Sequence, residues 1–174
     1  QADVTVIDLT AEFSGGGSVL GVPAAALSGG NGGDPGDPTV VPNMSIVIPM
    51  KGALEGLTLG ASVGAPFGLA TEYEPGWVGR YRALTSDVKA VDLTLSAAIQ
   101  PTESLSIGLG LIYERAEVTL SKAIDFGTAI CAGSGNPANC FNPAYPFRPQ
   151  QLDGSFEVQG SSNSVGYVVG MQFK

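Results

Sequence analysis

The run Leu57–Tyr73, LTLGASVGAPFGLATEY, limits most tightly what this chain can fold into. Its odd positions are Leu57, Leu59, Ala61, Val63, Ala65, Phe67, Leu69, Thr71 and Tyr73. Its even positions are Thr58, Gly60, Ser62, Gly64, Pro66, Gly68, Ala70 and Glu72. Side chains of a β-strand point alternately to opposite faces, so this pattern reads as a strand with one apolar face and one small or polar face. The pattern recurs. Val91, Leu93, Leu95, Ala97 and Ile99 oppose Asp92, Thr94, Ser96, Ala98 and Gln100. Leu105, Ile107, Leu109, Leu111 and Tyr113 oppose Ser106, Gly108, Gly110 and Ile112. Val165, Tyr167, Val169, Met171 and Phe173 oppose Gly166, Val168, Gly170, Gln172 and Lys174. The segments VTVIDLTAEF and VVPNMSIVIPM follow the rule less cleanly. Six strands are expected, at about residues 2–13, 40–50, 57–73, 87–100, 104–122 and 155–174.

The connections alternate in length: long and Gly/Pro-rich, short (KGALEG), intermediate (EPGWVGRYRALTS), short (PTES), then long, from Asp125 to about Gly154. Short turns at one end and long loops at the other are the plan of a transmembrane β-barrel. The expected fold is therefore all-β: an antiparallel meander of about six strands, with residues 1–174 a single segment of a larger transmembrane barrel. Period alone does not separate this from a soluble barrel, which hides its apolar face inside. Length favours the membrane barrel, since several strands reach the ~9–11 residues needed to cross a bilayer. Aromatics near strand ends (Phe13, Tyr73, Trp77, Tyr81, Tyr113, Phe156, Phe173) suit interfacial girdles. Only 14% of residues are charged, where roughly 25% is usual for soluble domains, and the mean hydropathy is +0.22. The alternative is a secreted soluble β-barrel or sandwich that binds lipophilic ligands in its core.

Several chemistries are excluded. A net charge of −8 offers no basic patch for nucleic acid. The absence of histidine removes His-based acid–base catalysis, Ser-His-Asp triads and histidine metal sites. The two cysteines, Cys131 and Cys140, lack the spacing of a zinc site. No metal and no cofactor is expected. The stretch between them, AGSGNPAN, reads as an exposed flexible loop, closed by a disulfide in an oxidising compartment or carrying two unpaired thiols.

The residues VPNMSIVIP followed by PFGLATEYEPGWVGRY, then LSIGLGLIYERAEVTLSKAID and QLDGSFEVQG, resemble the long-chain fatty-acid outer-membrane transporters of the FadL family. The resemblance covers most of the chain, in the same order. It implies a barrel of about fourteen strands, plugged by a small N-terminal hatch, that passes hydrophobic small molecules across the bacterial outer membrane with its long loops extracellular. This chain lacks the hatch and ends after its sixth strand, so it is expected to be an internal fragment. Its partners would be outer-membrane lipid, a hydrophobic substrate, and the remaining strands and hatch of the full-length chain. Two NPA triplets, Asn136–Ala138 and Asn142–Ala144, are similar to a hatch motif, but lie in the fifth connection.

Pro66 and Gly68 interrupt the alternation of the third strand. Proline removes a ladder donor, and the Phe67–Gly68 pair can bend inward. The resemblance implies that the third strand kinks there to form a lateral exit into the outer leaflet. Release into lipid is favourable, because release into water would forfeit ~0.8 kcal/mol per CH₂. Arg115 would face lipid if the alternation ran on from Leu105. A charge at mid-membrane costs ~2–4 kcal/mol, so a bulge near Leu111–Tyr113 is expected to turn Arg115 into the lumen. There it either binds a ligand carboxylate or pairs with Glu117 or another lumen acid. Trp77, Arg80, Tyr81 and Arg82 either collect amphipathic anions at the surface or anchor their loop. Tyr145, Phe147 and Leu152 are candidates for a surface capture groove, a role that the resemblance implies for this loop. An outer-membrane enzyme using Glu114 and Glu117 is the weakest reading, because alternation sends the two to opposite faces. No enzymatic activity is expected.

Overall fold

In the computed structural model, which describes residues 1–18 and 25–174, six strands form one antiparallel sheet in sequence order. They are β1 (Ala2–Ile7), β2 (Thr39–Pro49), β3 (Leu57–Glu72), β4 (Thr85–Thr102), β5 (Leu105–Asp125) and β6 (Asp153–Phe173). Part of the long first connection, residues 19–24, lies outside the described residues. The strand count and meander agree with the alternation read from the sequence. β1 is shorter than expected, because β2 begins at Thr39, opposite Ile7, and leaves nothing further to pair with. β5 and β6 pair along their whole lengths, from Leu105↔Phe173 to Asp125↔Asp153. The fifth connection holds a short helix, α1 (Phe126–Gly133), whose N-terminus Asp125 caps by accepting from the Thr128 backbone N–H.

The long connections gather at one end of the sheet and the short turns at the other, as the meander requires. Residues from the first, third and fifth connections are hydrogen-bonded together there, through Ser28, Arg80 and Gln150.

Few apolar side chains are buried among the described residues, and several of those lie in the loops: Trp77, Val78, Cys131 and Cys140. One face of the sheet is lined with large apolar groups open to their surroundings. Tyr167 is 81% exposed, Phe173 79% and Val165 76%. A sandwich would cover that face with a second sheet; the described residues form one sheet only. An apolar surface of this extent needs lipid or protein against it.

Candidate functional site

The register of the ladders assigns every strand residue to a face. β4 runs against β5 without a shift from Ser86↔Leu120 to Ile99↔Ile107, and β5 against β6 without a shift throughout. Tyr113, Leu111, Val165 and Tyr167 therefore share one face with Leu93 and Leu95, called outward here. Thr94, Ser96, Gly108 and Gly110 share the inward face. Along β5 the outward residues from Leu109 to Glu117 are exposed, while Ile112, Glu114, Ala116 and Val118 are partly covered. The inward face is thus the more enclosed one.

β3 carries the one irregularity between it and β4. Gly64 pairs with Asp92, but Phe67 pairs with Ala90, so Ala65 and Pro66 together face the single residue Val91. This is a β-bulge: the extra residue reverses the facing of everything beyond it. Before the bulge Val63 points outward with Leu93. After it Phe67 and Leu69 point inward with Ala90 and Val88, and Gly68 points outward with Lys89. The strand is bulged rather than interrupted, and its pairing with β4 continues to Glu72↔Thr85. Gly68 is thus not on the lumen side that uninterrupted alternation predicts.

No shift occurs near Leu111–Tyr113, which corrects the bulge expected in β5. Arg115 stays on the outward face, two residues beyond Tyr113. Its charge is accommodated because the strand changes its polarity pattern instead of its register. At the turn end the outward residues are apolar and the inward ones small. At the loop end the outward rungs carry Lys89, Glu117, Asp87 and Thr119. The inward rungs there carry Phe67, Leu69, Val88, Ala90, Ala116, Val118 and Leu120. Between the two zones the inward face bears an acidic rung, with Asp92 directly opposite Glu114. Asp92 Oδ1 is buried with no hydrogen-bond partner among the described residues. Glu114 and Glu117 lie on opposite faces, so they form no acid–base pair.

β2 pairs with β3 only from Pro49↔Thr58 to Met44↔Val63. Beyond Met44 it turns its hydrogen bonds to β1, from Ala2↔Met44 to Ile7↔Thr39. The loop-end half of β3 therefore lacks its β2 neighbour from Gly64 onward. Among the described residues, the segment leading into β2 rejoins β3 at the Gly36–Thr71 bridge and where the Glu72 N–H donates to the Pro35 carbonyl, 2.9 Å away. A cavity of about 380 Å³ lies beside this separation, lined by Pro35, Asp37–Val40, Ala70–Glu72, Thr85, Asp87 and Lys89.

A cap of packed loops sits above. Trp77 is its centre: it is 6% exposed, stacks on Tyr73 with ring centroids 3.9 Å apart, and takes the edge of Phe13. Its Nε1–H donates to the Ala83 carbonyl at 2.9 Å. Gly32 crosses this stack at φ +91°, where a Cβ would stand 2.7 Å from Tyr73 Cδ1, so only glycine fits. Arg80 is 7% exposed. Its Nε donates to Asp153 Oδ2 at 2.8 Å, its Nη1 to the Ser28 carbonyl at 2.6 Å, and its Nη2 to the Tyr81 hydroxyl at 2.8 Å. Tyr81 in turn donates to Asp153 Oδ1 at 2.7 Å. Burial, then the hydrogen bond to Asp153, hold the Tyr81 hydroxyl protonated well above its ordinary range. Gln150 completes the lock: its Oε1 accepts from the Ser28 N–H at 2.7 Å and its Nε2 donates to the Ala26 carbonyl at 2.8 Å.

Of the residues singled out in the sequence, Trp77, Arg80 and Tyr81 are thus joined in one network that ties loops together. Arg82 is exposed beside it. Cys131 and Cys140 form a disulfide, and Tyr145 packs against it while meeting Phe147 edge-on at 6.2 Å. Phe147 and Leu152 are exposed, with Phe126, Ile130 and Phe141 exposed on the same connection. Pro66 and Phe67 lie at the bulge. Arg115 is apart from all of these, with Nε 2.9 Å from Glu117 Oε1. Sequence reasoning missed Ser28, Asp125, Gln150 and Asp153. Asp125 was legible as a helix N-cap three residues before Thr128. Gln150, at φ +63°, carried no such signal.

Along its whole length, residues 1–174, the chain matches the family described as outer membrane protein transport protein (OMPP1/FadL/TodX). It is 35% identical over 86 residues to outer membrane protein P1 of Haemophilus influenzae, covering 48% of this chain and 18% of that protein. It is 35% identical over 100 residues to the long-chain fatty acid transport protein of Salmonella typhi, covering 56% of this chain and 22% of that protein. The chain thus spans about a fifth of the length of these curated relatives. The crystal structure of a Pseudomonas aeruginosa FadL homologue superposes with a TM-score of 0.68 at 22% identity, over 99% of this chain and 38% of that one. That likeness supports the fold, and the sequence match settles the kinship: the chain belongs to the OMPP1/FadL/TodX family of outer membrane transport proteins, as a six-stranded part of its barrel wall.

Proposed function

We propose that the full-length protein bearing this segment moves hydrophobic compounds passively across the outer membrane, from the loop end into the lipid beside the wall. The observation that carries this reading is the exchange of polarity across the sheet at an unbroken β4–β6 register. At the turn end the apolar side faces outward, as lipid requires. At the loop end it faces inward, where a lipophilic molecule would pass. A barrel that conducts polar solutes has no use for Phe67, Leu69, Val88 and Val118 on its inner wall. The long loops are read as extracellular, with the exposed apolar residues Phe147 and Leu152 helping to collect substrate. The separation between β2 and the loop-end half of β3 is read as the lateral exit, with the bulge at Ala65–Pro66 shaping it. The family is one of transporters, and no catalytic role is assigned to any residue.

The test is uptake by a full-length protein carrying this segment, expressed in cells without a transporter of this family. Leu69→Ser with Val118→Ser removes two aliphatic contacts from the inner wall, each worth ~1 kcal/mol. Uptake of a neutral hydrocarbon and of a long-chain fatty acid should both fall roughly thirtyfold. Unchanged uptake by a correctly folded double variant would show that the inner apolar face is not on the route.

A further inference from the structure

We propose that the outward face of β4–β6 nearest the loops docks the phosphorylated sugar headgroup of the outer-leaflet glycolipid. The proposal rests on the outer-membrane reading above and goes beyond it, because it concerns the outside of the wall. The last fully apolar outward rung is Leu93–Tyr113–Val165. Two residues further on, about 7 Å along the strand, the same face carries Arg115. The next rung pairs Lys89 with Glu117, and the one after pairs Asp87 with Thr119, which in turn lies opposite Gln159. From Leu105 to Tyr113 the apolar outward residues occupy a length close to the ~9–11 residues that cross the hydrocarbon. The charged array therefore begins where lipid tails end and headgroups start.

Its chemistry selects among headgroups. Lys89 Nζ lies 2.6 Å from Asp87 Oδ2, and Arg115 Nη2 lies 2.8 Å from Glu117 Oε1. Each cation is thus paired with an acid two residues away on its own strand. Arg115 Nη1 makes no hydrogen bond among the described residues, so one guanidinium nitrogen is free for a phosphate. The carboxylates, the Thr119 hydroxyl and the Gln159 amide add acceptors and donors side by side, which is what sugar hydroxyls require. A hollow of about 360 Å³, lined in part by Arg115, Glu117, Thr119 and Gln159, gives a sugar ring a seat. A plain anionic phospholipid would use only the cations.

The test places a full-length protein carrying this segment in nanodiscs of phosphatidylethanolamine and phosphatidylglycerol, with or without purified lipid A. Native mass spectrometry reads the lipid retained by the protein. Wild type should retain lipid A in preference to phosphatidylglycerol, and Lys89→Gln with Arg115→Gln should lower that retention about tenfold or more. Thr119→Val with Gln159→Leu leaves both ion pairs intact and should lower it about threefold. This second variant carries the test if the charge variant does not fold. Equal lipid A retention by wild type and every folded variant overturns the proposal, as does equal retention of lipid A and phosphatidylglycerol by wild type. Uptake is measured on the same proteins. Selective lipid A retention by a protein that carries no hydrophobic compound would sink the transport reading and leave the headgroup site standing.

Discussion

Deleting Pro66 tests the bulge more sharply than any substitution at it. The bulge arises from residue count, with Ala65 and Pro66 opposite the single residue Val91. Removing one residue leaves Ala65 opposite Val91, keeps Gly64↔Asp92 and Phe67↔Ala90, and preserves the face of every other side chain. Substitutions such as Pro66→Val or Gly68→Thr keep the extra residue, and with it the bulge. The β2 ladder ends at Val63 and is untouched. The deletion should add one or two ladder hydrogen bonds, at about 0.5–1.5 kcal/mol each, and fix one residue fewer, worth about 1–2 kcal/mol of chain entropy. The full-length variant should therefore be more stable by about 1.5–5 kcal/mol, read as a raised denaturation midpoint in detergent. If the bulge shapes the exit beside β2, uptake of hydrophobic compounds should fall severalfold in the same variant. Pro66→Ala, which keeps the count, should transport better than the deletion. A stabler, folded deletion variant with wild-type uptake would refute the argument and leave the bulge a tolerated irregularity.

Two further outcomes concern the loop cap. Arg80→Ala strips Asp153, Tyr81 and the Ser28 carbonyl of a nearly buried charged partner. It should cost about 2–4 kcal/mol of loop stability, seen as faster amide exchange across residues 25–38 and 146–153, with the strands unaffected. Protection unchanged in those loops would show that Arg80 does not hold them. Asp34 accepts from the Ala11 and Gly36 N–H groups, which draws its pKa below 3.8. A carboxylate with a depressed folded pKa contributes stability above its unfolded value and loses it as pH falls through the folded one. Proteolytic nicking between residues 8 and 38 should therefore rise below about pH 4, and Asp34→Asn should show it already at neutral pH.

The sequence by itself determined the strands, their order and the end at which the loops gather. Period-two alternation is a local property of each strand, and short turns such as PTES allow only a meander. It also marked position 66 as irregular, because proline and glycine cannot serve a ladder in the ordinary way. What it could not determine is which of the two strands, β3 or β5, shifts its register. A side chain's face follows from its partner across the ladder as well as from its own position. The charge at Arg115 argued for a bulge in β5, yet β5 is regular and the bulge lies in β3, where two residues face Val91. Only the tertiary pairing decided this, and with it whether Arg115 faces inward or outward. The loop network was beyond sequence reasoning for the same reason. Ser28, Arg80, Gln150 and Asp153 are brought together only when the strands have set the three loops side by side.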